Sequence, residues 1–260
     1  MVALGCQRDS TSQAKEPGNV GGKRVAKGES NGDVVIHPNG GTYRVVNVAN
    51  PGSVSGTVTL KNPPAAAALM PTGAFGAVCG ATVVDESVQL SGKSLADVVV
   101  WLEGIQAGKG ASPDRRLELE SLQCKLHPRV QAGVTSSAVN VLGHDEFRQH
   151  LRFTAGGEDE PRTTVLLGGG EQVIPTNLPF KAPGLVLVRD PEHAWTRAYL
   201  AVFDHPYFAV TGANGSFTID GVPPGTYTLH AWHERTGDQK QSVDIAPNTP
   251  LKLNLELSAK

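Results

Sequence analysis

"GANGSFTIDGVPPGTYTLHAWHE", residues 212–234, contains two turns and the two strands they punctuate. Asn214-Gly215 supplies the positive φ values that a tight hairpin turn needs. Phe217 and Ile219 then recur on one face of a strand. Pro223-Pro224-Gly225 makes a second, rigid turn, and Tyr227 and Leu229 return to the same core. His230 and His233 end this returning strand. Side chains alternate across a strand, so residues three apart point to opposite faces. The parity predicts His233 near the core with Tyr227 and Leu229, and His230 outward with Thr226 and Thr228. The two cannot share a metal ion.

The same grammar extends in both directions. Downstream, "QSVDIA" and "LKLNLELS" alternate cleanly. Upstream, "GSVSGTVTL" places Val54, Gly56, Val58 and Leu60 on one parity. "GTYRVVNV", "SVQLSG", "SAVNVLG", "QHLRFTA", "TTVLLGG" and "GLVLV" read as further short strands between turn signals. "ADVVVWLEGI" is a continuous apolar run suited to a strand buried on both faces. "KNPPAAAALMPTG" breaks the pattern, with too many prolines for a strand and too short an alanine run for a stable helix. No long amphipathic helix occurs, and the class is all-β. The composition agrees: 30 Gly and 18 Pro serve many turns, and charged residues are only 18%, below the usual quarter or so. A net charge of −2 provides no basic field for a polyanion, which excludes nucleic acid as a partner. No run reaches the 18 or so apolar residues of a membrane-spanning helix.

The three cysteines divide unevenly. Ala3-Leu4-Gly5-Cys6 resembles a bacterial lipobox, where a signal is cut and the cysteine acylated. The apolar region of such a signal needs about 7–15 residues, more than precede Cys6, so the expected start lies further upstream. From Gln7 to about Asn39 the chain is Gly, Ser, Lys, Asn and Glu, as in a flexible tether. These features predict an exported lipoprotein, periplasmic or at the cell surface, that reaches the membrane through a lipid on Cys6. Cys79 and Cys124 then form an even pair in an oxidising compartment, where a disulfide is the natural expectation. It would constrain the unfolded chain by about 4 kcal/mol. Neither has a second cysteine two or four residues away, so no zinc ribbon or thioredoxin-type site is indicated.

"FDHPYFAVTGANGSFTIDGVPPGTYTLHAWHE" resembles the carboxypeptidase-regulatory-like, or transthyretin-like, β-sandwich module. The order "GTVTL … VCG … DVVVWLEG … CKLHPRV … HDEFRQH … EHAWTRAYLAVFDHPYFAVTG" resembles a group of bacterial exported proteins in which a cupredoxin-like region is joined to that sandwich. The resemblance covers about residues 40–258, and in that group the pair matching Cys79 and Cys124 is structural. It implies a lipoprotein-like N-terminus over 1–39, a cupredoxin-like sandwich over 40–196 and a carboxypeptidase-regulatory-like sandwich over 197–260. Copper-binding relatives carry Cys-x-x-His-x-x-Met before the "AY" strand; here Asp190, His193 and Thr196 stand at those places. His150 matches the earlier histidine ligand, with His144 as the other candidate. A type 1 copper centre requires the thiolate, so an electron-transferring blue copper site is excluded.

Two imidazoles and a carboxylate can still hold Cu or Zn, so His150, Asp190 and His193 are the candidate ligands of an alternative, metal-binding reading. The leading expectation needs no cofactor. No G-x-S-x-G or comparable nucleophile motif accompanies any histidine, and no catalytic residue is assigned. His205, between Asp204 and Pro206, reads as a turn residue donating to a carbonyl, and His127-Pro128 as the start of a strand. Gly168-Gly169-Gly170 lacks the Lys-Ser/Thr and helix of a phosphate loop. The expected function is therefore a non-enzymatic binding or structural module of the cell envelope, with an envelope protein as partner.

Overall fold

Alternation along the strand Gly52–Lys61 buries Val54, Val58 and Leu60 completely or nearly so. This strand is the spine of one sheet. It pairs antiparallel with Ser216–Val222 on one edge and parallel with Pro250–Lys252 and Leu255–Ser258 on the other, while Ser94–Leu95, paired in turn with Leu90–Ser91, continues the first edge beyond Ser216. The facing sheet runs Phe208–Val210, Val99–Glu103, Gly225–His233, Gly237–Ile245. Between them lies a core that includes Val54, Leu60, Val100, Leu102, Phe217 and Leu229. The computed structural model describes residues 42–259 apart from 136, 157, 159 and 177–179.

A second sandwich occupies the chain between these pieces. Its four-stranded sheet runs Lys125–His127, Arg116–Leu122, Ala138–Gly143, Gln172–Thr176. Its five-stranded sheet runs Val130–Val134, Arg197–Phe203, Gly184–Arg189, Gln149–Ala155, Thr163–Leu167. Leu119, Val141, Leu151, Phe153, Val188 and Leu200 fill the space between the sheets. The chain is all-β, as expected, and built as two β-sandwiches.

The two sandwiches are nested rather than consecutive. The boundary expected at 196/197 falls elsewhere, because Arg197–Phe203 lies inside the five-stranded sheet and not in the C-terminal sandwich. Conversely, Gly52–Lys61 and Val99–Glu103, expected in the first unit, complete the sheets of the last. Residues of about 111–203 are thus an insertion, and the described residues form one compact unit.

Period-2 alternation explains how the units join. Ala198, Leu200 and Val202 face the core of the inserted sandwich, while Tyr199, Ala201 and Phe203 face outward against Val99, Trp101 and Trp232 of the other. Val98, Val100 and Leu102 meanwhile face their own core. Both apolar runs, "ADVVVWLE" and "AYLAVF", are strands buried on both faces because each covers the other. At the neck, Tyr207 Oη accepts the Lys109 N–H at 2.8 Å and donates to Gly221 O at 3.1 Å. Tyr43 Oη donates to Lys109 O at 2.6 Å. A Cβ at Gly108 would stand 2.1 Å from Tyr207 Oη, so only glycine fits there.

Residues 1–39, including Cys6, lie outside the described residues. Among the described residues no helix is long and apolar enough to cross a membrane.

Candidate functional site

The loop Asp190–Thr196 joins Gly184–Arg189 to Arg197–Phe203 at one end of the inserted sandwich. It closes on itself: Asp190 N–H donates to Thr196 O at 3.3 Å, and Thr196 N–H to His193 O at 2.8 Å. Asp190, 3% exposed, uses its carboxylate on the main chain. Oδ2 accepts the His150 N–H and Oδ1 the Glu192 N–H, each at 2.8 Å. The carboxylate thereby staples the loop to the neighbouring strand Gln149–Ala155.

His193 is fully buried. Its Nδ1 lies 2.8 Å from Asp190 Oδ2, yet neither ring nitrogen has an aligned hydrogen-bond partner. Aromatic rings enclose it, with centroids at 4.3 Å for Phe75, 4.9 Å for Phe147 and 5.5 Å for Trp195. Trp195 Nε1, Thr196 Oγ1 and Gln149 Oε1 are likewise buried without partners. Buried polar atoms are nearly always paired, which makes this concentration unusual.

A small lid covers the loop. Leu69–Pro71 and Thr82–Val84 pair with each other, and between them a 3-10 turn, Gly73–Phe75, runs into a helical turn, Gly76–Cys79. Met70, Phe75, Cys79 and Val83 from the lid pack with Cys124, Phe147 and Trp195. Cys79 and Cys124 are joined by the expected disulfide, with Cα atoms 5.8 Å apart. Gln123 and Cys124 turn at positive φ, and Asp145 supports that turn by accepting the Cys124 N–H at 2.9 Å and the Ser121 hydroxyl at 2.7 Å.

The expected ligand set His150, Asp190 and His193 does not assemble. Asp190 and His193 meet, but His150 joins them only through its main-chain N–H. Alternation along Gln149–Ala155 turns Gln149 inward and His150 out, and the His150 Nδ1 lies 3.6 Å from Glu192 Oε1, 39% exposed. Among the described residues no group of three or more His, Cys, Asp or Glu could hold a metal ion. His144, the other candidate, is held by Glu171 at 2.8 Å, a hydrogen bond that raises its pKa.

Three further histidines, His205, His230 and His233, sit at or near the junction of the sandwiches. His230 and His233 do face opposite sides, but the outer side is not solvent. On that side His230 is 3% exposed, packed against Trp101 of the next strand, and on the inner side His233 is 1% exposed. His230 stacks on Trp101 and binds Asp238 at 2.9 Å through Nδ1 and Glu103 at 3.1 Å through Nε2. Burial works against its charge, but the two carboxylates outweigh burial and raise its pKa. His233 is the reverse: burial, then the Arg129 and Arg235 charges, lower it to about 4. His205 accepts the Tyr207 N–H at Nδ1, and burial lowers it to about 4 although Asp204 and a backbone hydrogen bond oppose this. Arg129 forms a two-pronged pair with Glu234 across the junction, its side chain 8% exposed and that of Glu234 4%. Burial opposes the Arg129 charge, and the Glu234 hydrogen bond overcomes it.

Sequence reasoning missed Phe75, Phe147, Asp145 and the Arg129–Glu234 pair. Only Asp145 had a local signal, standing beside His144 in "HDEF".

A carboxypeptidase regulatory-like domain is matched at residues 187–258. Among curated proteins, the human BOS complex subunits NOMO3 and NOMO1 are each 34% identical over 71 residues, 27% of this chain. The chain spans only 6% of the length of these relatives. Among solved structures, a copper-containing nitrite reductase from Thermus scotoductus SA-01 has a TM-score of 0.30 at 18% identity, covering 36% of this chain and 23% of that one. Amicyanin from Paracoccus versutus scores 0.29 at 12% identity, covering 35% of this chain and 84% of its own. These scores are low, and the two-sheet architecture of residues 116–203 rests on its own strand pairing. The family match begins inside the inserted sandwich. Its later strands, Ser216–Val222 and Gly225–His233, take Gly52–Lys61 and Val99–Glu103, far upstream, as sheet partners.

Proposed function

We propose that this chain is a non-enzymatic binding or structural module of the cell envelope, exported and tethered to the membrane through a lipid on Cys6. Its two sandwiches act as one rigid body that presents edges and loops to an envelope protein. The observation that carries this reading is the treatment of the Asp190–Thr196 loop. Its carboxylate is committed to main-chain N–H groups and its histidine is sealed under aromatic rings. That arrangement suits a scaffold better than a site that must admit an ion or substrate. The inter-sandwich cluster of Val99, Trp101, Tyr199, Phe203 and Trp232 favours rigidity.

Calorimetric titration of Cu(II) and Zn(II) into the chain and its His193→Ala variant tests the first part. The expected result is no tight equivalent that depends on His193. One tight equivalent abolished by the substitution would replace the scaffold reading with a metal-binding one. The anchor is tested by labelling with a tagged fatty acid in a bacterial host, where Cys6→Ser should remove the label. An unlabelled parent chain would remove the tether from the proposal.

A further inference from the structure

The lid over His193 is fastened in an unusual way. Among the described residues, the hydrogen bonds of Leu69–Val84 all close within the lid: strand to strand, Thr72 N–H to Ala81 O, Phe75 N–H to Thr72 O, and the Thr72 hydroxyl to Gly80 O. None crosses to the sandwich beneath. Its two-stranded sheet joins no other sheet. What holds it down is a patch of apolar contact from Met70, Phe75 and Val83, together with the Cys79–Cys124 bond.

The balance under the lid is close by construction. Closing it buries Phe75 and Val83, which is favourable. Closing it also seals in His193 Nε2 and Trp195 Nε1 without partners, with His193 Nδ1 left only the Asp190 carboxylate at 2.8 Å, and each unpaired atom costs the hydration it has lost. The outer side of the lid leaves Leu69, Val78 and Val84 exposed, so it gains little from its own packing. A hairpin and a single helical turn of this size do not stand alone in water.

From this we propose that Cys79–Cys124 is a redox latch. Reduction releases the lid locally and gives solvent and small reagents access to His193, while both sandwiches stay folded. A small dithiol supplies the two electrons and two protons. The S–S bond breaks, Cys79 and Cys124 become thiols, and the dithiol leaves as its cyclic disulfide. Access would then follow the population of the open lid, as local opening governs exchange elsewhere in proteins.

The full chain carries its own controls for the test. It is treated with diethyl pyrocarbonate either oxidised, or after reduction by dithiol, alkylation of the thiols and desalting, and each histidine is quantified by peptide mass spectrometry. His150 is reactive in both states because its ring is half exposed. His205 and His230, buried at or beside the junction, are protected in both. His193 is protected when oxidised and gains more than about tenfold in modification rate when reduced. The Cys79→Ala variant, needing no reductant, shows the same gain. Protection of His193 in the reduced chain and in the variant would overturn the latch, since the apolar contacts would then hold the lid unaided. Joint reactivity of His193, His205 and His230 would overturn it too, since the bond would then support the whole fold.

Discussion

Two ends of this molecule bury imidazoles and treat them in opposite ways. At the junction between the sandwiches, His230 has a carboxylate on each nitrogen and Arg129 has both carboxylate oxygens of Glu234. At the lidded end, His193 has aromatic faces, one carboxylate oxygen 2.8 Å from Nδ1 and nothing at Nε2. Both regions bury their polar groups, which come from distant stretches of chain at the junction and mostly from one loop, Asp190–Thr196, under the lid. The difference is in what fastens them. Paired charges resist opening because separating them strands a charge in a poor solvent. Orphaned dipoles favour opening because water would satisfy them. The junction is therefore built to stay shut and the lid to depend on its latch.

The largest effect is expected at the junction. Glu234→Ala leaves the Arg129 charge buried and uncompensated, and should cost about 3–5 kcal/mol, read from urea denaturation at unchanged slope. The double variant Arg129→Met/Glu234→Leu should recover much of that loss. A cost below about 1 kcal/mol for the single variant would mean the pair is solvated and the contrast false.

The pH dependence should split the histidines next. His205 and His233 have folded values near 4 against 6.5 unfolded. In that window the unfolded chain binds more protons, so their contribution is intact above pH 6.5 and falls away as pH drops towards 4. Each loss is about 3 kcal/mol. His230 runs the other way, because its folded value is raised. Its contribution is full below pH 6.5 and disappears as pH rises through the folded value. Stability measured against pH should lose part of its acid limb in His233→Gln and part of its neutral-to-alkaline limb in His230→Gln. Identical profiles for the two variants would refute the assignment.

The smallest effect is expected at the lid. Phe75 is only half buried, so Phe75→Ala in the oxidised chain should lower stability by about 1 kcal/mol. Phe153→Ala, in the core of the inserted sandwich, should cost about 3–5 kcal/mol. Thermal denaturation of both variants would sharpen the comparison, and equal losses would place the lid within the main cooperative core.

Alternation was readable wherever one face meets a core, as in Gly52–Lys61 and in the hairpin that ends at His233. The all-apolar run Val98–Leu102 announced burial on both faces but not the identity of its second cover. That partner, Tyr199, Ala201 and Phe203, is set by topology, and no local pattern encodes it. The same blindness put His230 in solvent. It also placed the unit boundary at 196/197, because Arg197–Phe203 leads without interruption into the hairpin that shares its sequence neighbourhood but not its sheets. At the candidate site, Asp190 and His193 were legible as a spacing and Cys79–Cys124 as a pair. Phe75 was not, since it lies in a proline- and alanine-rich stretch whose only structure is the lid it forms.

The nesting of one sandwich in the other also orders events in time. Thr57 binds Asn254, 197 positions away, and the strand that carries Thr57 is bordered on two sides by segments from the last part of the chain. On a ribosome making about 5–20 residues each second, Gly52–Lys61 emerges many seconds before Ser216–Val222 or Leu255–Ser258. The inserted sandwich, whose strands all lie within 116–203, has every one of its strand partners on hand before the C-terminal strands emerge. Until the C-terminus arrives, an early strand with open edges must be kept from pairing with its neighbours, an aggregation hazard that belongs to synthesis rather than to the finished protein.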